Sequence, residues 1–299
     1  MNILIEATGS LTSLYMIQAI KEAGHKVIGS DISIFNHAHS LCDDFIVMPK
    51  TSDKELWGKT KNLLIKHHVD IVIPSLDETM IDWATKVDEF HNYGITIIIS
   101  PIKTINIFQD KWNTYNFFKS ISIQTPKTSL ENIYQIIKPR LGRGGSGIFE
   151  NTYKNNFSMQ NLISQEKITG TEYTVDTLFN KDGTAIYIVP RERIDVKEGK
   201  STKGVVVKNK KIDDLIIKIS KHIKFIGPIN FQLFKTINDK LVFIEVNPRI
   251  AGGMALGFAA TENWIKLIVD NIIKDKKIVP KKINYGLKMA RYYDECFFK

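Results

Sequence analysis

The 299-residue sequence contains two cysteines and no long apolar segment, and both features exclude classes of protein. Cys42 and Cys296 are far apart, and two cysteines do not make the disulfide framework of a small secreted domain. No apolar run approaches the roughly 18–20 residues of a membrane-spanning helix. The first residues lack the basic stretch and cleavage site of a signal peptide. We therefore expect a cytoplasmic location and no membrane partner.

Two common nucleotide-binding patterns are also missing. Gly9 follows the first apolar segment and Asp31 ends the second, as in dinucleotide-binding domains, but the full G-x-G-x-x-G pattern is absent. A nicotinamide-dependent oxidoreductase is therefore a disfavoured alternative. The other interpretations of Gly9 are a tight strand-to-helix turn and a turn that helps to bind another small molecule. The glycines of residues 142–147 are not followed by the Gly-Lys-Ser/Thr of a P-loop.

The chain carries a net charge of +9, which raises the question of nucleic-acid binding. Its lysines are scattered, however, and no aromatic residues interleave the densest basic runs, at 208–211 and 274–282. We expect no nucleic-acid partner. A modest positive field also suits an enzyme that binds polyanionic nucleotides.

The hydrophobic pattern predicts two kinds of architecture along the chain. Residues 1–100 alternate strand and helix signals, which is typical of an α/β unit with a parallel sheet covered by helices. Asp77 is a plausible N-cap for a helix over 77–90. The remainder is α+β with antiparallel hairpins, for instance through Asn238 and Asp239. A last helix is expected near 261–274, followed by a basic tail of little pattern.

A glycine-rich loop is the first feature that indicates chemistry. Four glycines and a serine occupy six positions at 142–147, and Lys138 precedes them at the end of a predicted strand. Such a loop can close over phosphate oxygens with its backbone, and a lysine supplies a positive charge for them. A flexible hairpin is the other interpretation, and the position between two strands favours a phosphate-binding loop.

The segment after the apolar strand 241–244 indicates a metal site. Glu245 and Asn247 are two apart in an extended chain, so their side chains point to the same face. Hard cations such as Mg²⁺ prefer such oxygens, often together with substrate phosphates. Gln232, on the neighbouring predicted strand, adds a third oxygen. Arg249 follows closely and can meet a phosphate or carboxylate with two hydrogen bonds.

Residues 165–172 form a weaker candidate. A strand that runs into a turn here exposes backbone groups at 166–168, which can bind an adenine edge. Glu172 can accept hydrogen bonds from ribose hydroxyls. Acidic residues beside turns are more often simply solvated.

Taken in order, these segments resemble the ATP-grasp superfamily, and in particular its carbamoyl-phosphate-synthase-like group. The resemblance covers nearly the whole chain, and its most specific part is Glu-x-Asn-Pro-Arg at 245–249. It implies a Rossmann-like preATP-grasp domain followed by an ATP-grasp fold of two α+β subdomains. The implied boundaries are residues 1–101 for the first domain, 102–168 for the small subdomain, and 169–299 for the large subdomain with the metal site.

The resemblance also implies roles for individual residues. The groups that contact or cover the ATP phosphates are Lys111, Lys138, Gly144, Gly145 and Ser146. The groups that hold adenine and ribose are Glu166, Lys167, Ile168 and Glu172. The ligands for one or two Mg²⁺ ions, with Mn²⁺ as an alternative, are Gln232, Glu245 and Asn247. The catalytic residues are Arg249, which steadies the transferred phosphoryl group, and Arg191. Arg191, Arg193 and Lys203 are equally consistent with solvated strand positions.

The implied activity is the ATP-dependent joining of a carboxylate to an amine or ammonia, with release of ADP and phosphate. The sequence holds one ATP-grasp unit and no glutamine-hydrolysing domain, so carbamoyl phosphate is not the expected product. A small ligase, assembled as a homodimer in many relatives, is the expectation. A non-catalytic ATP-binding regulatory module is the alternative.

Overall fold

The computed structural model describes residues 1–10, 13–142, 145–151, 157–197, 200–292 and 295–297. In this part of the chain the strands form three sheets that follow one another along the sequence. The first sheet is parallel, and the other two are antiparallel. The predicted change from α/β to α+β architecture is confirmed.

The first sheet has five parallel strands. They are β1 (Asn2–Ile5), β2 (Lys26–Asp31), β3 (Asp44–Val47), β4 (Ile71–Ile73) and β5 (Thr96–Ile97). Their order across the sheet is β3-β2-β1-β4-β5. The surrounding helices are α1 (Ser13–Glu22), α2 (Leu56–Lys66), α3 (Met80–Thr85) and α4 (Val87–His91), with a 3₁₀ turn at Asp77–Thr79. Both faces of β1 are buried because alternate side chains pack into different cores: Ile3 and Ile5 into one, Leu4 into the other.

The second sheet belongs to a smaller unit that begins with two helices. The helices are α5 (Ile102–Gln109) and α6 (Lys111–Ser120), and the strands are β6 (Thr128–Ser129), β7 (Ile136–Pro139), β8 (Phe149–Glu150) and β9 (Leu162–Gln165). The strand order is β6-β9-β7-β8. Asp110 separates the helices and caps α6 by accepting hydrogen bonds from the backbone N–H groups of Trp112 and Asn113.

The third sheet is the largest, with six strands in the order β14-β13-β10-β11-β12-β15. The strands are β10 (Thr171–Phe179), β11 (Ala185–Lys197), β12 (Lys200–Val206), β13 (Gly227–Lys235), β14 (Leu241–Asn247) and β15 (Lys288–Ala290). The helices are α7 (Lys210–Ser220), α8 (Ala255–Ala260) and α9 (Trp264–Ile268), which continues into a π-helical segment at Val269–Ile273. The implied domain boundaries, 101/102 and 168/169, fall between the three sheets and remain a proposal.

The C-terminal part differs from the sequence prediction in two respects. The expected helix at 261–274 is shorter and segmented, because Asn263 caps a new helix with hydrogen bonds from Ile265 and Lys266. The tail is not without pattern either, since β15 pairs with β12 at the edge of the sheet. With only three residues, Lys288–Ala290, β15 is too short to show the apolar alternation by which strands are recognised.

One hydrophobic core joins the first sheet to the third. It combines Ile3 and Ile73 with Tyr187 and Trp264, and the rings of Tyr187 and Trp264 stack at an angle of 4°. A polar contact crosses the same junction, where the Tyr15 hydroxyl donates to the carbonyl oxygen of Ala251 at 2.7 Å. The first domain is therefore packed directly against the segment that follows Arg249.

Among the helices within the ranges given above, none has both the length and the apolar character that crossing a bilayer requires.

Gly170 provides a test of this packing. Its φ is +154°, and a Cβ added there would lie 2.2 Å from the carbonyl oxygen of Lys235 on the neighbouring strand. Gly170→Ala should lower the stability by at least about 2 kcal/mol, measured as a fall in Tm.

The matched control is Gly58→Ala in α2, where an added Cβ meets no described atom within 4 Å. Alanine is the better helix former, so this change should raise the stability by about 0.5–1 kcal/mol. Equal Tm values for the two variants would contradict the packing described at Gly170.

Candidate nucleotide and metal site

A polar cleft of about 240 Å³ lies between the second and third sheets. It collects seven of the predicted site residues: Lys111, Lys138, Gly145, Ser146, Glu172, Gln232 and Glu245. These come from six separate parts of the sequence, so the fold brings together side chains that the chain keeps apart. Gly144 lies outside the described residues.

Two lysines dominate the electrostatics of the cleft. Lys138, on β7, is only 7% exposed, and the pKa of its ammonium is lowered to about 8, mainly by burial. Glu245 opposes this fall, and Lys111 contributes to it. Lys111, at the start of α6, donates from Nζ to the carbonyl oxygen of Gly142 at 2.9 Å. Its Nζ also lies 3.6 Å from Oε1 of Glu245. Two cations share one carboxylate, which leaves a surplus of positive charge for an anionic ligand.

The predicted metal ligands lie on adjacent strands. Gln232 on β13 and Glu245 on β14 are direct cross-strand partners, which places their side chains next to each other. The register changes at this pair, since the next residue, Leu233, faces Phe243 and leaves Ile244 as an extra residue in β14. Such a bulge redirects the side chains around it and is common beside functional sites.

The donor set fits Mg²⁺ bound together with a phosphate ligand. Gln232, Glu245 and Asn247 offer three oxygen-bearing side chains, of which one is a carboxylate. Nowhere in the described ranges, this site included, do three or more His, Cys, Asp or Glu side chains group together as metal ligands do. Magnesium is commonly held by one or two carboxylates plus substrate phosphates, so this set is complete only when a polyphosphate contributes oxygens.

Arg249 connects this site to the first domain. Its Nε donates to Oδ1 of Asp77 at 2.7 Å, and its Nη2 donates to Oδ2 of the same carboxylate at 2.5 Å. A third contact runs from Nη2 to Oδ1 of Asn247 at 3.3 Å. The prediction that Asp77 caps a helix is wrong, because Asp77 lies within the 3₁₀ turn, and Leu76 is the residue that precedes it as N-cap.

Arg191 is not among the described residues that line the cleft. Its side chain is fully buried, and Nε and Nη2 donate to the two carboxylate oxygens of Asp176 at 2.5 and 2.9 Å. Asn230 donates to the same carboxylate at 2.8 Å. Two residues further along β11, Arg193 does line the cleft and forms an ion pair with Glu172. The catalytic role of Arg191 stays a prediction, and Arg193 is the arginine of β11 with access to a ligand.

The predicted adenine-binding segment lies beside the cleft rather than in its described lining. Glu166 follows β9, and its carboxylate accepts a hydrogen bond from the backbone N–H of Lys127 at 3.2 Å. The backbone N–H of Lys167 donates to Oε1 of Gln135 at 3.3 Å. Ile168 is half-buried in the same turn. The roles of these three residues remain predictions.

Sequence reasoning missed Arg291, which follows the edge strand β15. Its guanidinium donates to the carbonyl oxygen of Gly252, in the small-residue segment after Arg249. Lys203, on β12 next to this edge strand, is exposed and lies 3.8 Å from a carboxylate oxygen of Asp195. No local pattern in the tail marks Arg291, because its partner is 39 residues away.

Comparison with known proteins agrees with this architecture. Residues 3–98 match the PylC-like N-terminal domain, and residues 108–253 match the ATP-grasp domain. The tyramine–L-glutamate ligase of Methanocaldococcus fervens is 28% identical over 224 residues, which cover 73% of this chain and 72% of that protein. The carbamoyl phosphate synthase large chain of Thermoplasma acidophilum is 22% identical over 283 residues, 81% of this chain and 26% of that one. The chain thus spans about a quarter of the large chains that it matches.

Solved structures show the same fold. The biotin carboxylase domain of 2-oxoglutarate carboxylase from Hydrogenobacter thermophilus, solved with MgADP, ADP and bicarbonate, superposes with a TM-score of 0.75 at 15% identity. That match covers 96% of this chain and 73% of the other. N5-carboxyaminoimidazole synthetase from Staphylococcus aureus, complexed with ADP, gives 0.70 at 17% identity, with 90% and 76% covered.

The two matched domains and the charged cleft define an ATP-grasp ligase. More particularly, the chain belongs to the ATP-grasp superfamily, with a PylC-like N-terminal domain ahead of its ATP-grasp domain.

The pKa of Lys138 leads to a prediction about pH. The ammonium is protonated below about pH 8 and loses its proton above that value. If it contacts phosphate, ATP affinity should fall as the pH rises from 7 to about 9.5. Titration calorimetry with ATP across this range measures the effect.

Lys138→Gln is the matched variant, since it removes the charge and keeps most of the side chain. It should bind ATP at least about tenfold more weakly at pH 7 and show a smaller change with pH. A wild-type affinity that is constant between pH 7 and 9.5 would argue against Lys138 as a phosphate contact.

Proposed function

We propose that this protein binds ATP with Mg²⁺ in the cleft between the second and third sheets, converts a carboxylate to an acyl phosphate, and joins it to an amine or ammonia. The observation that supports this most directly is the convergence of Lys111 and Lys138 on the Gln232–Glu245 pair. Cationic groups and oxygen ligands at one place match the needs of a magnesium polyphosphate.

The chemistry proceeds in two balanced steps. A carboxylate oxygen forms a bond to the γ-phosphorus of ATP, the bond to the bridging oxygen breaks, and ADP leaves. The amine nitrogen, after losing a proton, then bonds to the acyl carbon, the bond to the phosphate oxygen breaks, and phosphate leaves while the nitrogen releases a further proton. A carboxylate is a poor electrophile, so the first step supplies the leaving group that the second step needs.

Each residue contributes through charge or position. Lys111 and Lys138 neutralise the phosphates, and Gly145 and Ser146, together with Gly144, cover them. Gln232, Glu245 and Asn247 hold magnesium, which supplies charge neutralisation during phosphoryl transfer. One or two ions, or Mn²⁺ in place of Mg²⁺, fit this proposal equally.

Arg249 is proposed to steady the transferred phosphoryl group. Its guanidinium is already held in place by Asp77 and by the amide oxygen of Asn247. A positioned cation in a partly buried site stabilises developing negative charge without reorganising during the reaction. Arg191 is proposed to act on the same region through the buried ion pair that it forms with Asp176.

The nucleoside part of ATP is proposed to bind toward the end of β9. Glu166 and the backbone of Lys167 and Ile168 would hold adenine, and Glu172 the ribose. The printed names of the relatives add support for small-molecule substrates, since one of them joins tyramine to L-glutamate. A cytoplasmic homodimer completes the proposal, and the two free thiols are consistent with a reducing compartment.

A nicotinamide-dependent function is disfavoured by a specific contact. The backbone N–H of Gly9, which would face a pyrophosphate in a dinucleotide site, donates to Oδ2 of Asp31 at 2.9 Å. A carboxylate therefore occupies the place where such a site needs an anionic ligand.

The decisive experiment is a screen of product release. Candidate carboxylates are crossed with amines, amino acids and ammonia, and ADP and phosphate are measured. We expect both products only when a matching carboxylate and nucleophile are present together. AMP and pyrophosphate as products would overturn the mechanism, and ATP binding without turnover across a broad panel would favour the regulatory module.

Removing the one carboxylate among the metal ligands tests the site. Glu245→Ala should lower turnover by at least about 100-fold because magnesium loses its charged ligand, while the thermal unfolding curve stays close to that of the parent. Steady-state ADP release measures turnover.

Glu131→Ala is the matched control, since Glu131 is exposed in a loop of the second sheet. It should retain full activity. Full activity in Glu245→Ala would remove the metal assignment.

A further inference from the structure

A second and larger cavity, of about 700 Å³, lies in the first domain. The described residues that line it all fall between Glu6 and Trp83, so neither of the other two sheets contributes to it. It opens where β1, β2, β3 and β4 end, in the crevice at the carboxyl edge of the parallel sheet. Open α/β sheets bind ligands at this edge, and the volume is that of a site for a small organic molecule.

The walls of the cavity combine aromatic and aliphatic surface. Trp57 and Trp83 meet edge to face with ring centroids 4.8 Å apart. Phe35, in the loop after β2, is 83% exposed, and Ile32 in the same loop is 58% exposed. An exposed phenylalanine beside an apolar cavity is costly in water and is stabilised when a ligand covers it.

The charged groups around the cavity are mostly acidic. Among the described lining residues, Asp31 and Glu78 are acidic and Lys50 is basic, while the carboxyl of Glu6 is buried and accepts from Ser75 and Trp83. Asp31 accepts from the backbone N–H groups of Gly9 and Ile32 at 2.9 and 2.8 Å, so it is anchored as an anion at the glycine turn. The cavity therefore repels a phosphate or carboxylate ligand and suits a cation.

An unsatisfied hydroxyl in the wall is a second, independent sign of a ligand. Thr60 is 1% exposed and lines the cavity, and its Oγ1 has no hydrogen-bond partner among the residues that the structure describes. Buried hydroxyls are normally satisfied, so this one is consistent with a partner supplied by a bound molecule.

The cavity borders the proposed site of chemistry. Glu78 directly follows Asp77, the residue that holds Arg249. Glu78 is also one of the carboxylates whose charge acts on the Arg249 guanidinium. A ligand whose positive end lies at Glu78 is therefore near the arginine that we assign to the acyl phosphate.

We propose that this cavity binds the nucleophile of the ligase as a primary amine carried on an aromatic or extended apolar body. The ammonium lies toward Glu78, and the body packs against Trp57 and Phe35. This inference rests on the proposed function, and it narrows the nucleophile from any amine or ammonia to a bulky organic amine.

The test uses the full chain with 2-phenylethylamine as the probe and 2-phenylethanol as its uncharged counterpart, titrated by calorimetry in the presence of a non-hydrolysable MgATP analogue. We expect the amine to bind at least tenfold more tightly than the alcohol. Glu78→Gln should weaken amine binding about tenfold and leave alcohol binding unchanged. Equal affinity for amine and alcohol would overturn the proposal.

Two further variants separate the cavity from the rest of the domain. Thr51→Trp places a bulky ring at an exposed lining position and should abolish amine binding while MgATP analogue binding stays unchanged. Asp88→Asn removes an exposed acid on α4, away from the cavity, and should change neither. Unaltered amine affinity in Thr51→Trp would place the amine elsewhere and overturn the proposal.

The outcomes also distinguish this inference from the ligase function itself. If a carboxylate–amine pair drives ADP release and Thr51→Trp leaves the KM for the amine unchanged, the cavity assignment is wrong and the ligase function stands. A selective rise in that KM, with the KM for ATP unchanged, supports both. If the probe binds as expected but no pair releases ADP, the ligase function fails and the cavity is an amine site without the role of nucleophile pocket.

Discussion

The ion pair between Arg249 and Asp77 joins the metal-binding strand end to the first domain, and both proposed binding regions depend on it. Both side chains are largely buried, at 11% and 14% exposure, and two hydrogen bonds fix their relative orientation. Removing one partner of a buried pair leaves an uncompensated charge, which typically costs about 3–5 kcal/mol. The pair therefore holds the small-residue segment after Arg249 against the parallel sheet. Along the chain, Arg249 lies four residues after Glu245 of the cleft, and Asp77 directly precedes Glu78 of the cavity.

The two binding regions have opposite electrostatic character, and this difference assigns each proposed substrate to its own region. In the cleft, Lys111 and Lys138 share the single carboxylate of Glu245, so a polyanion relieves their repulsion. In the first domain, Asp31 and Glu78 make the cavity favourable to a cation. The anionic nucleotide is thus attracted to the cleft and the cationic nucleophile to the cavity. Their reacting ends are proposed to meet near Arg249, on which the charge of Glu78 acts.

Much of the fold could be predicted because its signals are local. The parallel sheet follows from short apolar segments alternating with helical ones, and Gly24 ends α1 with φ +77° as a helix-stop glycine does. The Gln232–Glu245 pairing could be predicted for the same reason, since the two residues lie on adjacent strands of one hairpin. The edge strand β15 could not, because its pairing partner β12 is distant in sequence and its own residues show no alternation.

The sequence by itself determined the classes of ligand, because lysines beside a glycine loop and oxygen donors two residues apart have the same chemistry in any fold that places them together. Only the tertiary structure decided which of these groups face a ligand. Arg191 and Arg193 are two apart on one strand, yet Arg191 forms a buried ion pair with Asp176 while Arg193 lines the cleft. Asp77, which local sequence predicts as a helix cap, instead binds an arginine 172 residues away. Such contacts depend on how distant segments pack together, and the spacing of residues along the chain does not predict them.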